Sequence, residues 1–165
     1  MPEQKSDISA FTMKANNIAR RLLSKCQGKY NNQVVEGRAL WDTGATNTCI
    51  SNHIVDVLKL IPLGQIKINT PSGFKDVNTY LIDIILPNNV QIQNVQVCDS
   101  EIGKQGIDFL IGMDIINLGD FAVSNYNHAT TFSFRMPSVE CTDYVQKIKI
   151  QNIIGNHGKG KRKKK

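Results

Sequence analysis

The sequence has no long hydrophobic run. None of its apolar stretches approaches the roughly eighteen residues that a membrane-spanning helix needs. The amino terminus, Met-Pro-Glu-Gln-Lys-Ser-Asp, also lacks the apolar core of a secretory signal. We therefore expect neither membrane insertion nor export, and we expect a cytoplasmic protein.

Cysteine and histidine are scarce and scattered. The four cysteines, Cys26, Cys49, Cys98 and Cys141, are widely spaced, and no Cys-x-x-Cys pair occurs. None of the three histidines stands at a metal-ligand spacing from them. We expect reduced thiols, no metal site and no organic cofactor.

Positive charge is concentrated at the carboxyl terminus. The formal net charge is +6, and the six lysines and arginines within Lys159–Lys165 account for all of it. Glycine and lysine dominate from Gly155 onward, which predicts a disordered basic tail over residues 155–165. Such a tail is either a nonspecific, salt-dependent contact to nucleic-acid phosphates or a solubilising end, and both interpretations fit the sequence.

What the sequence does contain is a carboxylate at the end of a buried strand. Residues 38–51 read Arg-Ala-Leu-Trp-Asp-Thr-Gly-Ala-Thr-Asn-Thr-Cys-Ile-Ser. The apolar run before Asp42 predicts a strand, and the small and hydroxylated residues after it predict a turn. Because an unpaired buried carboxylate costs several kcal/mol or takes up a proton, this placement indicates a function.

Three motifs carry a resemblance to a known family. Residues 42–45, Asp-Thr-Gly-Ala behind an apolar run, resemble the active-site loop of the aspartic proteases, in particular the single-domain retropepsin-like branch. Residues 109–116, Phe-Leu-Ile-Gly-Met-Asp-Ile-Ile, resemble the second element of that family, in which two apolar residues and a glycine lead into a short helix. Residues 70–74, Thr-Pro-Ser-Gly-Phe, lie where the family has its flap hairpin. The match covers residues 33–135.

The resemblance implies an all-β fold, a retropepsin-like acid-protease half-barrel with one or two short helices that forms a two-fold homodimer. Short stretches rich in β-branched residues independently favour a closed or sandwiched β architecture. We expect an N-terminal arm or strand over residues 1–20, the protease domain over residues 21–154 and the basic tail over residues 155–165.

The pattern of apolar residues predicts individual elements. Alternation indicates strands over residues 20–30, 33–41, 65–70, 77–86, 90–97, 107–111, 121–123 and 130–134. A slip in the alternation at Gln93-Asn94 predicts a β-bulge. One short helix is expected after a cap at Ser51-Asn52 and before Pro62, and another over residues 113–118. Residues 8–13 fit a strand or an arm, and residues 144–154 fit a strand or a helix.

The chemistry of this family sets the number of chains. Hydrolysis needs two adjacent carboxylates, one ionised and one protonated, with a water between them. The sequence contains one Asp-Thr-Gly and no second Asp-Ser/Thr-Gly. We therefore predict an endopeptidase homodimer in which Asp42 of each subunit meets on a two-fold axis, as the resemblance also implies.

The resemblance assigns roles to the neighbours of Asp42. Thr43 would interlock hydroxyls across the dimer axis, and Gly44 would let a main-chain amide approach the carboxylate. Ala45 offers that carboxylate no hydroxyl, so we expect a rate optimum at mildly acidic to neutral pH. The other candidates support the loop or form the flap tip over an extended peptide: Leu110, Ile111, Gly112 and Asp114 in support, and Pro71, Ser72 and Gly73 in the flap. Met113 departs from the family pattern, in which an arginine commonly follows the glycine and pins the dimer.

Other interpretations remain open at this point. The chain could be a protease fold that no longer cuts and serves as a peptide-binding or dimerisation module, or a nucleic-acid-associated accessory protein that depends on its tail. Cys49, close to the loop, also suggests a cysteine nucleophile, although no histidine has the spacing to activate it.

Overall fold

The computed structural model of the protein describes residues 7–70 and 73–160. These residues form ten strands and three α-helices, which agrees with the expected all-β class. The strands are β1 Ser9–Lys14, β2 Leu23–Tyr30, β3 Gln33–Trp41, β4 Cys49–Ser51, β5 Gly64–Thr70, β6 Gly73–Ile85, β7 Gln91–Ser100, β8 Phe109–Ile111, β9 Asp120–Ser124 and β10 Thr131–Met136. The helices are α1 Asn52–Leu58, α2 Met113–Ile116 and α3 Tyr144–Gly160. None of the helices in the described ranges is both long enough and apolar enough to cross a bilayer.

The larger sheet closes on itself. Seven strands follow the order β2-β3-β8-β4-β7-β6-β5, and an additional antiparallel pairing of β2 with β6 completes a barrel. Most neighbours are antiparallel, but β3 runs parallel to β8 and β4 runs parallel to β7. The short strand β4 therefore lies between β8 and β7, directly after the Asp-Thr-Gly turn.

A smaller sheet, β1-β10-β9, packs on the barrel through aromatic side chains. The Trp41 ring stacks on Phe121 at a centroid distance of 5.7 Å and an interplanar angle of 9°, and its centroid is 5.4 Å from that of Phe11. Phe132 and Phe134 of β10 complete the cluster. Because Phe11 belongs to β1, residues 9–14 are a strand of the core, which decides between the arm and the strand expected there.

Two local features differ from or refine the expectations. Helix α1 ends at Leu58, before Pro62, because Lys59 adopts the left-handed conformation with φ 51° and its N–H donates to Asp56 O. Ser51 occupies the N-cap position but makes no side-chain capping hydrogen bond. The bulge expected at Gln93-Asn94 is present: the β6–β7 register shifts between Ile82 and Ile84, and Asn94 has φ 55°.

The carboxyl-terminal region is helical rather than extended. Residues 144–154 belong to α3, and the backbone remains helical through Gly160, whereas the sequence predicted a disordered tail from residue 155. Glycine disfavours a helix interior, but adding a residue to an existing helix costs far less than starting one. Residues 161–165 of the predicted basic tail lie outside the described residues.

Candidate active site

Asp42 lies where the main chain leaves the barrel wall. Trp41, the last residue of β3, is opposite Ile111 in the parallel β3–β8 pair, and the Asp42 N–H donates to the Ile111 carbonyl at 2.9 Å. The Asp42 side chain is half-buried, and its Oδ1 accepts a hydrogen bond of 2.8 Å from the Gly44 N–H. A Cβ at Gly44 would lie 3.1 Å from that same oxygen, so a glycine leaves room for the amide to approach. The Ile111 carbonyl thus holds the start of the loop from behind, and Leu110 beside it pairs with Leu40 and Cys49 in the strands on either side of the loop.

The outer part of the loop faces solvent in a single chain. Thr43 and Gly44 are exposed, whereas Ala45 is half-buried. The Ala45 N–H donates to Asp42 O at 3.2 Å, which closes the turn, and the Ala45 carbonyl accepts from the Met113 N–H at 2.8 Å. The side of the loop that carries Thr43 is therefore available for contact with another molecule.

Thr48 and Asp114 fasten the inner part of the loop to α2. The Thr48 hydroxyl, fully buried, donates to Asp114 Oδ1 at 2.7 Å and accepts from the Gly112 N–H at 3.1 Å. Asp114 Oδ2 accepts from the Thr48 N–H at 2.9 Å, and the Asp114 N–H donates to Thr46 O at 3.2 Å. We call residues 45–48 together with residues 112–114 the loop clamp. Sequence reasoning proposed Asp114 and Gly112 but missed Thr48, whose only signal was a hydroxyl just before the apolar strand β4.

Gly112 is required by a close approach rather than by its backbone angles. Its φ of −95° is accessible to any residue. A Cβ at this position, however, would lie 2.7 Å from both C and O of Asn47 and 3.0 Å from the Ala45 carbonyl oxygen. The glycine therefore lets the β8–α2 connection pass directly against the backbone of the Asp-Thr-Gly loop.

A two-stranded ribbon extends from the barrel where a flap was expected. β5 pairs with β6 over residues 64–70 and 73–79, whereas β7 pairs with β6 only from Thr79 onward. Gly73, at the start of β6, has φ 106°, and Phe74 beside it is 76% exposed. Pro71 and Ser72, proposed as the flap tip, lie outside the described residues. At the base of the ribbon, the Asn78 N–H and side-chain amide each donate to the Asp99 carboxylate at 2.9 Å.

The sequence matches a known family over this whole arrangement. Residues 26–117, more than half of the 165-residue chain, match the model of the family described as "gag-polyprotein putative aspartyl protease". The chain belongs to this family. The matched region contains the Asp42 loop, the ribbon, β8 and α2, so all three motifs that carried the resemblance lie within it.

Of two similar solved structures, the first supports the same fold. A retropepsin-like aspartic protease from Rickettsia conorii is 13% identical, with a TM-score of 0.51 over 80% of this chain and 98% of that one. The simian foamy virus (mac) protease, solved in solution, is 19% identical, with a TM-score of 0.40 over 55% of this chain and 89% of that one. No curated protein sequence matches the chain significantly. The fold of this family member is thus retropepsin-like.

Among the residues that the structure describes, Cys49, next to the loop, is not paired with a histidine that would activate it as a protease nucleophile. Cys49 Sγ lies 3.0 Å from Cys98 Sγ, so its partner is a second thiol and not a histidine. Within the described ranges, no three histidine, cysteine, aspartate or glutamate side chains are grouped so that they could hold a metal ion.

A surface depression of about 520 Å³ lies against the smaller sheet, between Asp120, Arg135 and Tyr144, and none of its lining residues belongs to the Asp42 loop.

Proposed function

We propose that the chain is an aspartic endopeptidase that acts as a homodimer, with Asp42 of each subunit as the catalytic pair. The observation that carries this proposal is the setting of Asp42, a half-exposed carboxylate at the end of a buried strand. Its loop is held from behind by β8 and by the loop clamp. Membership of an aspartyl protease family supports the same assignment.

The requirement for two chains follows from the single Asp-Thr-Gly of the sequence. Like charges at short distance cannot both ionise, so a second Asp42 brought close to the first would share one proton with it. The exposed Thr43 and Gly44 leave the outer face of the loop open to such an approach. In the dimer, the Thr43 hydroxyls would interlock across the axis and hold the two loops in register.

The reaction then divides its proton transfers between the two carboxylates. The ionised Asp42 takes a proton from a water while the protonated Asp42 of the partner subunit gives its proton to the carbonyl oxygen of the peptide. The tetrahedral intermediate collapses when the amide nitrogen takes up a proton and leaves. Because Ala45 offers the carboxylate no hydroxyl, we expect the rate maximum at mildly acidic to neutral pH.

The substrate we propose is an extended peptide segment with apolar side chains around the scissile bond. The β5–β6 ribbon extends beyond β7 as a two-stranded structure, which suits a flap that closes over a bound strand and excludes water. The exposed ring of Phe74 near its end offers an apolar contact to such a peptide.

Cleavage of a mixed peptide library from pH 4 to pH 7 tests the proposal. The Asp42→Asn change should abolish cleavage, whereas Asp56→Asn, an exposed carboxylate on α1, should leave it unchanged. Specific activity should rise with protein concentration and then saturate, because only the dimer is active.

Two outcomes would contradict the proposal. Cleavage that persists in the Asp42→Asn variant would remove Asp42 from the chemistry. If neither protein cuts while both form folded dimers, the alternative of a protease-fold peptide-binding or dimerisation module would replace the enzyme.

A further inference from the structure

Two thiols distant in sequence meet directly beneath the active-site loop. Cys49 of β4 and Cys98 of β7 are register partners in a parallel pair, and their sulfur atoms are 3.0 Å apart. Paired strands lie about 4.8 Å apart, within the range of about 4.4–6.8 Å between Cα atoms that a disulfide spans. The two thiols can therefore be joined without moving the strands apart or changing their register.

The two thiols differ in access. Cys98 is buried, with 2% of its surface exposed, whereas Cys49 is partly exposed. A small molecule in solution can thus reach Cys49 first, and Cys98 stands behind it. This is the arrangement of an attacking thiol with a resolving thiol.

We propose that Cys49 and Cys98 form a redox-active dithiol site that reacts with small disulfides such as oxidised glutathione. The Cys49 thiolate attacks one sulfur of the small disulfide, the S–S bond breaks and one small thiolate leaves. Cys98 then attacks the Cys49 sulfur of this mixed disulfide and expels the second small thiolate. The two protein thiols lose two electrons and two protons in total, and the small disulfide becomes two thiols.

Proton transfer between the sulfurs fits this sequence of steps. The two sulfurs share a hydrogen bond in which either can be the donor, and this bond raises the pKa of Cys49 and lowers the pKa of Cys98. A Cys98 thiolate can therefore take the proton of Cys49 across 3.0 Å as Cys49 attacks, and release it to solvent before the second step.

The site is linked to the active-site loop through Thr48. The Cys98 N–H donates to the Thr48 carbonyl at 3.2 Å, and Thr48 is both the residue before Cys49 and the centre of the loop clamp. A disulfide would tie Cys49, and with it the adjacent Thr48, to β7. Because a small misplacement of groups near the reacting atoms is costly, we expect oxidation to lower peptide cleavage about ten-fold or more, an effect that rests on the proposed function.

Mass spectrometry after alkylation in denaturant, where the buried Cys98 also becomes accessible, tests the site itself. The protein carries Cys141→Ser, which removes the exposed thiol, and is equilibrated in glutathione buffers from reducing to oxidising. We expect the thiols of Cys49 and Cys98 to disappear together, with no glutathione attached, and to return with dithiothreitol. Cleavage is assayed on the same samples.

Single substitutions distinguish a dithiol site from independent thiols. In the Cys98→Ser variant, glutathione should remain attached to Cys49, because the resolving thiol is missing. In the Cys49→Ser variant, Cys98 should stay unmodified, since it is buried. The fluorescence of Trp41, the single tryptophan, checks that each variant is folded.

The proposal is overturned if both thiols remain open to alkylation throughout the series, or if glutathione attaches to Cys98 in the folded Cys49→Ser variant. The masses alone decide this in the protein with both thiols intact, so a serine variant that fails to fold does not affect the result. The measured masses do not depend on whether the protein cleaves peptides. A failure of the dithiol site is therefore distinguished from a failure of the proposed function.

Discussion

Replacing Gly112 by alanine adds one methyl group at the point where β8 and α2 pass the Asp-Thr-Gly loop. The added Cβ would lie 2.7 Å from C and O of Asn47 and 3.0 Å from the Ala45 carbonyl oxygen. Ordinary contacts begin at 3.4 Å, and these atoms belong to the backbone, so no side chain can rotate away. The loop itself must move away from α2.

The cost of that movement can be estimated from the clamp. Overpacking a buried site costs typically about 1–3 kcal/mol, and a clash with backbone belongs at the upper end, about 2–3 kcal/mol. For a chain of this length, that corresponds to a fall in Tm of about 4–12 °C. The movement also strains the hydrogen bonds from the Gly112 N–H to Thr48 and from the Met113 N–H to Ala45. Since these bonds position the Asp42 loop, we expect peptide cleavage to fall about a hundred-fold.

Thermal unfolding followed by circular dichroism, together with cleavage kinetics, measures both effects. Gly103→Ala is the matched control, because a Cβ there meets only Ser51 Cβ at 3.6 Å, an ordinary contact. The reasoning is refuted if the Gly112→Ala protein melts within about 1 °C of the Gly103→Ala control and cleaves peptides at about the same rate. The close approach at Gly112 would then not position the loop.

Three further changes test other parts of the structure. Thr48→Val removes the hydroxyl that joins Asp114 to Gly112 and should lower the free energy of unfolding in urea by about 2–4 kcal/mol. Thr46→Val, at an exposed position of the same loop, should lower it little. Equal losses in the two variants would contradict the loop clamp. The pKa of Asp120 is lowered by hydrogen bonds from the Ser138 hydroxyl and the Val139 N–H and by Arg135, so its stabilisation is present above the ordinary carboxyl pKa and is lost as pH falls below it. Asp120→Asn should therefore destabilise the protein at pH 6 and progressively less toward pH 2, and a deficit independent of pH would contradict this. Ending the chain after Asp143 removes α3, whose described side chains at residues 144–154 are all exposed, and should change Tm by about 2 °C or less; a larger fall would show that the helix packs on the barrel.

Strands were predictable where local pattern and burial agree. In β2, the sequence placed Ser24 and Cys26 on one face, and both are buried, while Lys25 between them is exposed. The bulge at Gln93-Asn94 was also visible, because an extra residue shifts the alternation of the strand. Family membership was predictable for a different reason: the three short motifs of the sequence all lie within the region that matches the family.

Contacts between distant segments could not be predicted from the same patterns. The closure of the barrel by β2 and β6, the hydrogen bonds of Thr48 and the meeting of Cys49 with Cys98 all join residues far apart in the sequence. The wide spacing of the cysteines indicated reduced thiols and gave no sign of a close pair, because a parallel pair of strands brings such residues together without a local signal. Composition alone predicted a tail from Gly155, whereas α3 continues through Gly160, because composition reports propensity and not the helix that precedes this segment.

The second family motif acts on Asp42 through the backbone. The side chains of Leu110 and Ile111 have no polar atom; the groups that reach the loop are the Ile111 carbonyl and the Met113 N–H, and Gly112 leaves space for it. Main-chain groups tolerate a change of apolar side chain but not an added Cβ between the segments. The position of the Asp42 carboxylate therefore depends on Gly112. Thr48 fixes this position further, because its hydroxyl donates to Asp114 and accepts from the Gly112 N–H. Since Cys49 directly follows Thr48 and the Cys98 N–H donates to the Thr48 carbonyl, we expect a change in the thiol pair to act on the same contact.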